Sequence, residues 1–309
     1  WTGWSLLAMG PSVFIMAWRL RLLLATQQIT ISMRDTTLLT FAGNFFNFAM
    51  PGTTGGDLYK AYHIARQTRK RAEGITIVLL DRVIGLISFL LLATGTIFIL
   101  TLLQKPMIGG YGRLVGWFMV AFIVAAALFF SRRVRRWIHY DALLAKLPLA
   151  DKLRRIDETA LSFRYNLRAS LLSLLGTLAN HFLIVTSIYC LARAFGIHPT
   201  GTQTGGDLYL ACLLAASVGY LFAAIPVSIQ GIGLLEAVFY KVMVEGGWSN
   251  ASQMLALTFG TRLVQIIWSL PGIAVPWLGF ARPRGLSDDE PGQADLATDA
   301  PPPNGQAAH

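Results

Sequence analysis

Asn44-Phe-Phe-Asn47-Phe-Ala-Met-Pro51-Gly52-Thr-Thr-Gly55-Gly56-Asp57-Leu-Tyr-Lys60 decides the fold of this chain; a basic cluster follows it, then Asp81-Arg82 inside an apolar run. The stretch is too apolar for a surface loop and too broken for one spanning helix. Pro51 cannot donate a backbone hydrogen bond, and Gly52, Gly55 and Gly56 loosen the helix around it. Broken backbone at membrane depth is tolerated where it is buried in protein or lines a cavity. Asp57, Asp81 and Arg82 bring charge to the break, and intramembrane charge points to a functional site. A second copy follows over residues 220–272: Pro226, Ser228, Gln230-Gly231-Ile-Gly233, Glu236, and later Arg262 in an apolar run. Arg82 lies 25 residues after Asp57, and Arg262 lies 26 after Glu236. The proline-to-acid spacing differs, 6 against 10, so the repeat is degenerate in the manner of transporter halves.

Composition sets the solvent. The chain has 309 residues, 54% hydrophobic and 14% charged, with mean hydropathy +0.53. A soluble domain carries about 25% charged residues. Several apolar runs exceed the roughly 20 residues that span a bilayer. They are continuous rather than alternating, which excludes a β-barrel. The reading is an all-α polytopic membrane protein. The net charge of +10 includes a tail after Gly285 with five acids and no Lys or Arg, so the remainder carries +15. Such a balance suits cytoplasmic loops facing an anionic lipid surface, not nucleic acid. Cys190 and Cys212 lie in apolar segments and imply no disulfide framework.

Charge also orders the spans. Residues 1–18 are apolar and end at Trp18-Arg19-Leu-Arg21. The chain begins at Trp1 without methionine, so a further helix upstream is expected rather than a signal peptide. Arg19, Arg21 and Arg34 assign the next loop to the cytoplasm. Residues 36–66 hold the first broken segment, and Arg66, Arg69, Lys70 and Arg71 place its far end inside as well. A re-entrant hairpin with its tip near Pro51–Gly56 satisfies both flanks. Residues 74–103 span, 104–112 are external, and 114–130 return. Residues 131–168 contain ten Lys or Arg against four acids. There Leu153, Ile156, Ala160, Phe163 and Leu167 recur at helical spacing, the pattern of a basic amphipathic helix on the cytoplasmic face or of a solvated linker. Residues 169–195 span outward, 207–246 hold the second broken segment, and 250–279 span back to Arg282 and Arg284. The two broken segments then open from opposite sides, as inverted-topology repeats. Residues 1–285 form the membrane domain. Residues 286–309 are an acidic, proline-rich tail of disordered composition.

No H-E-x-x-H, C-x-x-C or G-x-S-x-G occurs, and Gly231-Ile-Gly233 lacks the βαβ context of a dinucleotide site. No metal and no cofactor is expected. Two helices broken near the midplane would aim free N–H ends into a shared cavity, and such ends attract phosphate. Arg82 and Arg262 add planar bidentate donors. Asp57 and Glu236 hold those arginines at rest or engage a cationic headgroup; alternatively the arginines serve a structural ion pair. Asp81 either joins the site or pairs near the interface, about 10 Å into its helix. Thr258, Arg262, Gln265 and Ser269 share one helical stripe, and Thr177, Asn180, Ile184 and Ser187 another, with His181 beside it. These stripes fit either a polar lining or interhelical hydrogen bonds. The candidate substrate-binding set is Arg82, Arg262, Asp57, Glu236, Asp81, Asn47, Gln230 and Gln265.

The Pro51…Gly55-Gly56-Asp57 segment with Asp81-Arg82, and the Pro226…Gly231-Ile-Gly233-Leu-Leu-Glu236 segment with Arg262, together resemble the lysylphosphatidylglycerol synthase transmembrane-domain family. Trp18-Arg19 is similar to that family's Arg-Trp pair with its order reversed, and Asp81-Arg82 stands where Glu-Arg is frequent. The resemblance spans about residues 10–280 and implies an integral membrane lipid transporter or flippase. Members fused to a soluble aminoacyl-transferase domain also make lysyl-lipids. The short tail here offers no such domain, so synthase activity is not expected to carry over. The expected function is movement of an anionic-headgroup phospholipid or polyprenyl-type amphiphile between leaflets of the plasma membrane, with the C-terminus cytoplasmic and membrane lipids as partners. The alternatives are a proton-coupled solute transporter and an enzyme or accessory subunit of lipid or glycan assembly.

Overall fold

The computed structural model describes residues 1–50, 55–68, 71–103, 117, 166–224 and 231–277. Nearly all of the expected return span 114–130, most of the basic segment 131–168, the tail, Pro51, Pro226 and Gln230 lie outside the described residues. Regular structure among the described residues is helical throughout: α1 (Thr2–Ala25), α2 (Met33–Ala49), α3 (Gly55–Gln67), α4 (Arg71–Leu102), α5 (Leu167–Ala194), α6 (Gly205–Ala223), α7 (Leu234–Phe239) and α8 (Ala251–Ser269). A π-turn over Tyr240–Val244 continues α7, and a 3-10 turn over Leu270–Ile273 continues α8.

Five of these helices are long and apolar enough to cross a membrane: 2–25, 72–102, 167–194, 205–223 and 251–273. The protein is a multi-pass helical membrane protein. Its polar residues face inward: Ser5, Thr36, Thr40, Ser88, Thr96, Ser173 and Thr177 are all buried. Leu7, Phe14, Leu91, Phe98, Leu171, Phe259 and Leu263 stand exposed on the outside, as helices solvated by lipid require. The most enclosed span is α6, with 67% of its apolar window buried against 28–39% for the other four.

Local chemistry starts and stops the elements. Ser32 caps α2, accepting from the Asp35 N–H at 3.1 Å and donating its hydroxyl to the Asp35 carboxylate at 2.6 Å. Thr204 and Asp207 make a reciprocal capping box at α6, and Asn250 and Gln253 make another at α8. The α2 helix ends at Met50 in extended backbone (φ −105°, ψ 144°). Gly231 and Gly233 sit at φ 68° and 91°, a region open to glycine and costly for other residues, and they turn the chain into α7.

The order helix, broken pair, helix occurs twice: α1, α2–α3, α4 and then α5, α6–α7, α8. The first members run antiparallel. Ser5 near the start of α1 bonds Ser187 near the end of α5 at 2.7 Å, while Arg19 near the end of α1 donates to Thr177 near the start of α5 at 2.6 Å. The remaining packing is reciprocal, with α4 against α6, and α8 with its 3-10 extension against α2.

Candidate functional site

A cavity of about 350 Å³ lies where the two sets meet, lined by residues of α1 through α8. Its polar lining is Ser12, Arg19, Asn44, Asn47, Asp57, Lys60, Asp81, Arg82, Asn180, His181, Tyr220, Thr261, Arg262 and Gln265. Met9, Phe48, Leu86, Phe89, Ile184 and Trp268 supply an apolar wall. The starts of α3 and α7 bring Asp57 and Leu235 to the cavity wall.

The acids and arginines of the two sets occupy matching positions. Asp57 is the third residue of α3, counted from Gly55, and Glu236 is the third of α7, counted from Leu234. Arg82 is the twelfth residue of α4, counted from Arg71, and Arg262 is the twelfth of α8, counted from Ala251. Each arginine pairs with the acid of its own set: Arg82 Nη1 to Asp57 Oδ2 at 2.8 Å, and Arg262 Nη2 to Glu236 Oε1 at 2.8 Å with Nε to the same oxygen at 3.3 Å. Arg82 Nη2 also reaches the Ala224 carbonyl at the end of α6, 3.5 Å away. Both pairs are partly shielded rather than fully enclosed.

A third pair was not legible in the sequence. Arg19, read above as a cytoplasmic flank, is buried within α1, which continues to Ala25. Its Nε and Nη2 meet the two oxygens of Asp81 at 2.7 and 2.8 Å. Asp81 is thus committed to α1, and its place in the cavity wall comes with that partner.

One N–H at the start of each broken helix is taken by a side chain. Asn47 Oδ1 accepts from the Gly56 N–H at 2.8 Å, and Glu236 Oε2 accepts from the Gly233 N–H at 2.7 Å. These two donors are therefore not open to a phosphate.

Both polar stripes divide. On α8, Thr261, Arg262 and Gln265 face the cavity, whereas Thr258 and Ser269 bond back to their own helix at Leu255 and Ile266. Gln265 donates to the Tyr220 hydroxyl at 2.9 Å. On α5, Thr177 and Ser187 bind α1, while Asn180, His181 and Ile184 line the cavity. His181 stacks on Phe89 with ring centroids 3.7 Å apart, and Phe89 stacks in turn on Tyr220 at 5.4 Å. Lys60, the last residue of the broken stretch and given no role in the sequence, is buried and also lines the cavity. Its signal was the inward-facing spacing Asp57, Lys60, Ile64 on α3.

A polar, charge-bearing cavity among apolar spanning helices belongs to an integral membrane domain. The chain belongs to the family described as the lysylphosphatidylglycerol synthase TM region, whose model matches residues 1–272. No curated protein and no solved structure matches the chain.

Proposed function

We propose that this protein moves an amphiphile with an anionic headgroup between membrane leaflets, its headgroup passing through the central cavity while its acyl chains remain in the bilayer. One observation carries the reading: the charged groups of two broken helix pairs converge on a cavity inside a shell of lipid-facing helices. At about 350 Å³ the cavity sits at the low end of ligand-pocket volumes, about 300–1,000 Å³, which suits a headgroup rather than a whole lipid. The antiparallel α1 and α5, the reciprocal packing and the matching acid and arginine positions support inverted repeats, with each broken pair re-entrant. Alternating access then rocks one set against the other.

In this reading the Arg82–Asp57 and Arg262–Glu236 pairs are the resting partners of groups that bind substrate in turn. A phosphate entering between the arginines displaces one carboxylate at low net cost, since one anion replaces another. The family description, which names a lipid synthase, supports a lipid over a small solute. The protein resides in the plasma membrane with its C-terminus cytoplasmic, and transport proceeds without chemical conversion of the lipid.

The test is reconstitution of the purified chain into sealed vesicles containing a labelled anionic phospholipid, followed by quenching of the outer leaflet. Accelerated exchange between leaflets is expected. Conversion of the lipid in detergent, where no two compartments exist, would instead establish an enzyme. Uptake of a water-soluble substrate with no lipid exchange would establish a solute transporter.

A further inference from the structure

The two ends of the bundle carry different charge. Arg19 of α1 meets Thr177 of α5 and Asp81 of α4, which sets the end of α1 level with the starts of α5 and α4. The loop out of α1 leads directly into α2. Ile64 near the end of α3 packs with Leu24, Ile31, Leu39 and Ile77 in one apolar core. Five helix ends therefore share this face. Arg21, Arg34, Arg66 and Arg168 stand on it, all exposed. None of the four meets a carboxylate among the described residues; Arg66 donates to the Tyr62 hydroxyl of its own helix at 3.0 Å. Inside the bundle, by contrast, Arg19, Arg82 and Arg262 each have a carboxylate. Of the two acids on this face, Asp35 is engaged by Ser32 at the α2 cap, and Glu73 lies in the first turn of α4. The sequence adds Arg69, Lys70 and Arg71 at the α3–α4 junction, which makes seven cations against two acids. At the opposite end Lys241 is matched by Glu245 at 2.9 Å.

The chain heads for this face as it passes out of the described residues. Trp268 of α8 donates to the Leu6 carbonyl of α1 at 3.0 Å and fills the notch at Gly10. Four residues later Gly272 lies against the Phe41 carbonyl of α2. Phe41 is level with Phe14, their rings edge-on at 6.4 Å. From Trp268 to Gly272 the backbone thus moves along α1 from Leu6 and Gly10 toward Phe14, in the direction of Arg19 and Arg21. The turn Val275–Trp277 continues along α2. Past Gly285 come Asp288, Asp289, Glu290, Asp295 and Asp299, with no Lys or Arg among them.

We propose that the acidic stretch Asp288–Asp299 docks on the arginine face of the same chain. Charge complementarity names the occupant, and covalent geometry allows it. Asp288 is eleven residues past Trp277, up to about 36 Å of extended chain, enough to cross the end of a small helical bundle. A single exposed ion pair contributes little. Five acids on a short tether act together, at an effective concentration of about a millimolar, and hold where one pair in free solution does not. The docked stretch withholds Arg21, Arg34, Arg66 and Arg168 from anionic lipid, which competes for the same guanidinium groups. The contact is electrostatic and exposed, so salt weakens it. The proposal stands apart from the transport reading and does not depend on it.

The test is cross-linking within the full chain in nanodiscs of zwitterionic lipid and of lipid containing phosphatidylglycerol. Cysteines replace Thr30, exposed in the loop between α1 and α2, and Gln293, and a short bismaleimide joins them. Cys190 and Cys212 are buried, which confines reaction to the introduced pair. An intramolecular product is expected in both nanodiscs, falling about fivefold when salt rises from about 0.05 to about 0.5 M. A similar fall is expected when the five acids become Asn or Gln, and when Arg21, Arg34, Arg66 and Arg168 all become Gln. A cysteine at Thr200 in place of the one at Thr30 should give no product. Cross-linking that survives loss of the four arginines or of the five acids overturns the proposal. So does absence of the product, the result expected if the acids pair with the adjacent Arg282 and Arg284. A product confined to the zwitterionic nanodiscs would assign the face to the bilayer and overturn it as well.

Discussion

Arg19 of α1 and Asp81 of α4 form a two-point ion pair, with 2.7 and 2.8 Å contacts and side chains only 6% and 10% exposed. Arg19 also donates to Thr177 of α5, so one guanidinium ties three helices together. Removing one partner of such a pair strands the other charge in a dry interior, at a cost of about 3–5 kcal/mol. Arg19→Ala and Asp81→Asn are therefore each expected to lose most folded protein by size-exclusion chromatography. The double variant Arg19→Met with Asp81→Leu, which removes both charges, should recover a substantial part. Normal yield and thermal stability in both single variants would show that the pair does not hold the fold.

How far the sequence reached is best seen in these charges. The spans were legible because a bilayer demands long apolar runs, and the breaks because proline and glycine cannot hide in them. The recurrence of an acid and then an arginine, Asp57 with Arg82 and Glu236 with Arg262, was legible as a repeated spacing. Arg19 was not, because Trp18-Arg19-Leu-Arg21 has the composition of a helix flank, and only packing reveals that α1 runs on to Ala25. Lys60 carried no signal of its own beside the basic cluster that follows it. Pairing each arginine within its own set also eluded the sequence, since spacing shows equivalence but not which acid meets which base. The split of the α5 stripe into α1-binding hydroxyls and cavity-facing Asn180 and His181 depends on helix rotation, which identical spacing cannot specify.

Gly56 offers a test of the first broken pair. An added Cβ there would overlap the Gly43 carbonyl of α2 and approach Asn47 Oδ1 at 2.8 Å. Backbone cannot yield as a side-chain tip can, so Gly56→Ala should separate α2 from α3 and reduce folded yield sharply. Gly95→Ala, with nothing within 4 Å of the added carbon, is the control. It should be neutral or stabilising by up to about 1 kcal/mol through helix propensity. Equal yields for the two variants would refute the close α2–α3 contact.

Membrane orientation is open to direct labelling. The native Cys190 and Cys212 are buried, so background labelling by an impermeant maleimide should be low in the intact protein. Cysteines placed at Gly110 and Thr200 are expected to react from outside the cell, and one at Ser131 only after permeabilisation. External labelling at Ser131 would remove the charge-based orientation and, with it, the opposite openings of the two broken segments.

Arg82 and Arg262 carry the sharpest expectation for transport. They hold the twelfth positions of α4 and α8, line one cavity, and are each held by the acid of their own set. An arginine at the centre of a spanning helix costs about 2.5–3.5 kcal/mol on insertion scales, so such residues are retained for what they bind. Lysine keeps the charge but loses the planar fork that grips a carboxylate and a phosphate alike. Arg82→Lys and Arg262→Lys should leave expression near wild type and slow exchange of a labelled anionic lipid in proteoliposomes. Arg82→Ala and Arg262→Ala should abolish exchange, with folded protein quantified by size-exclusion chromatography in every case. Wild-type exchange in both alanine variants would exclude these arginines from the headgroup path. Loss of folded protein in both lysine variants would assign them to the scaffold instead, because a group needed only for substrate has no reason to unfold the chain while its charge remains.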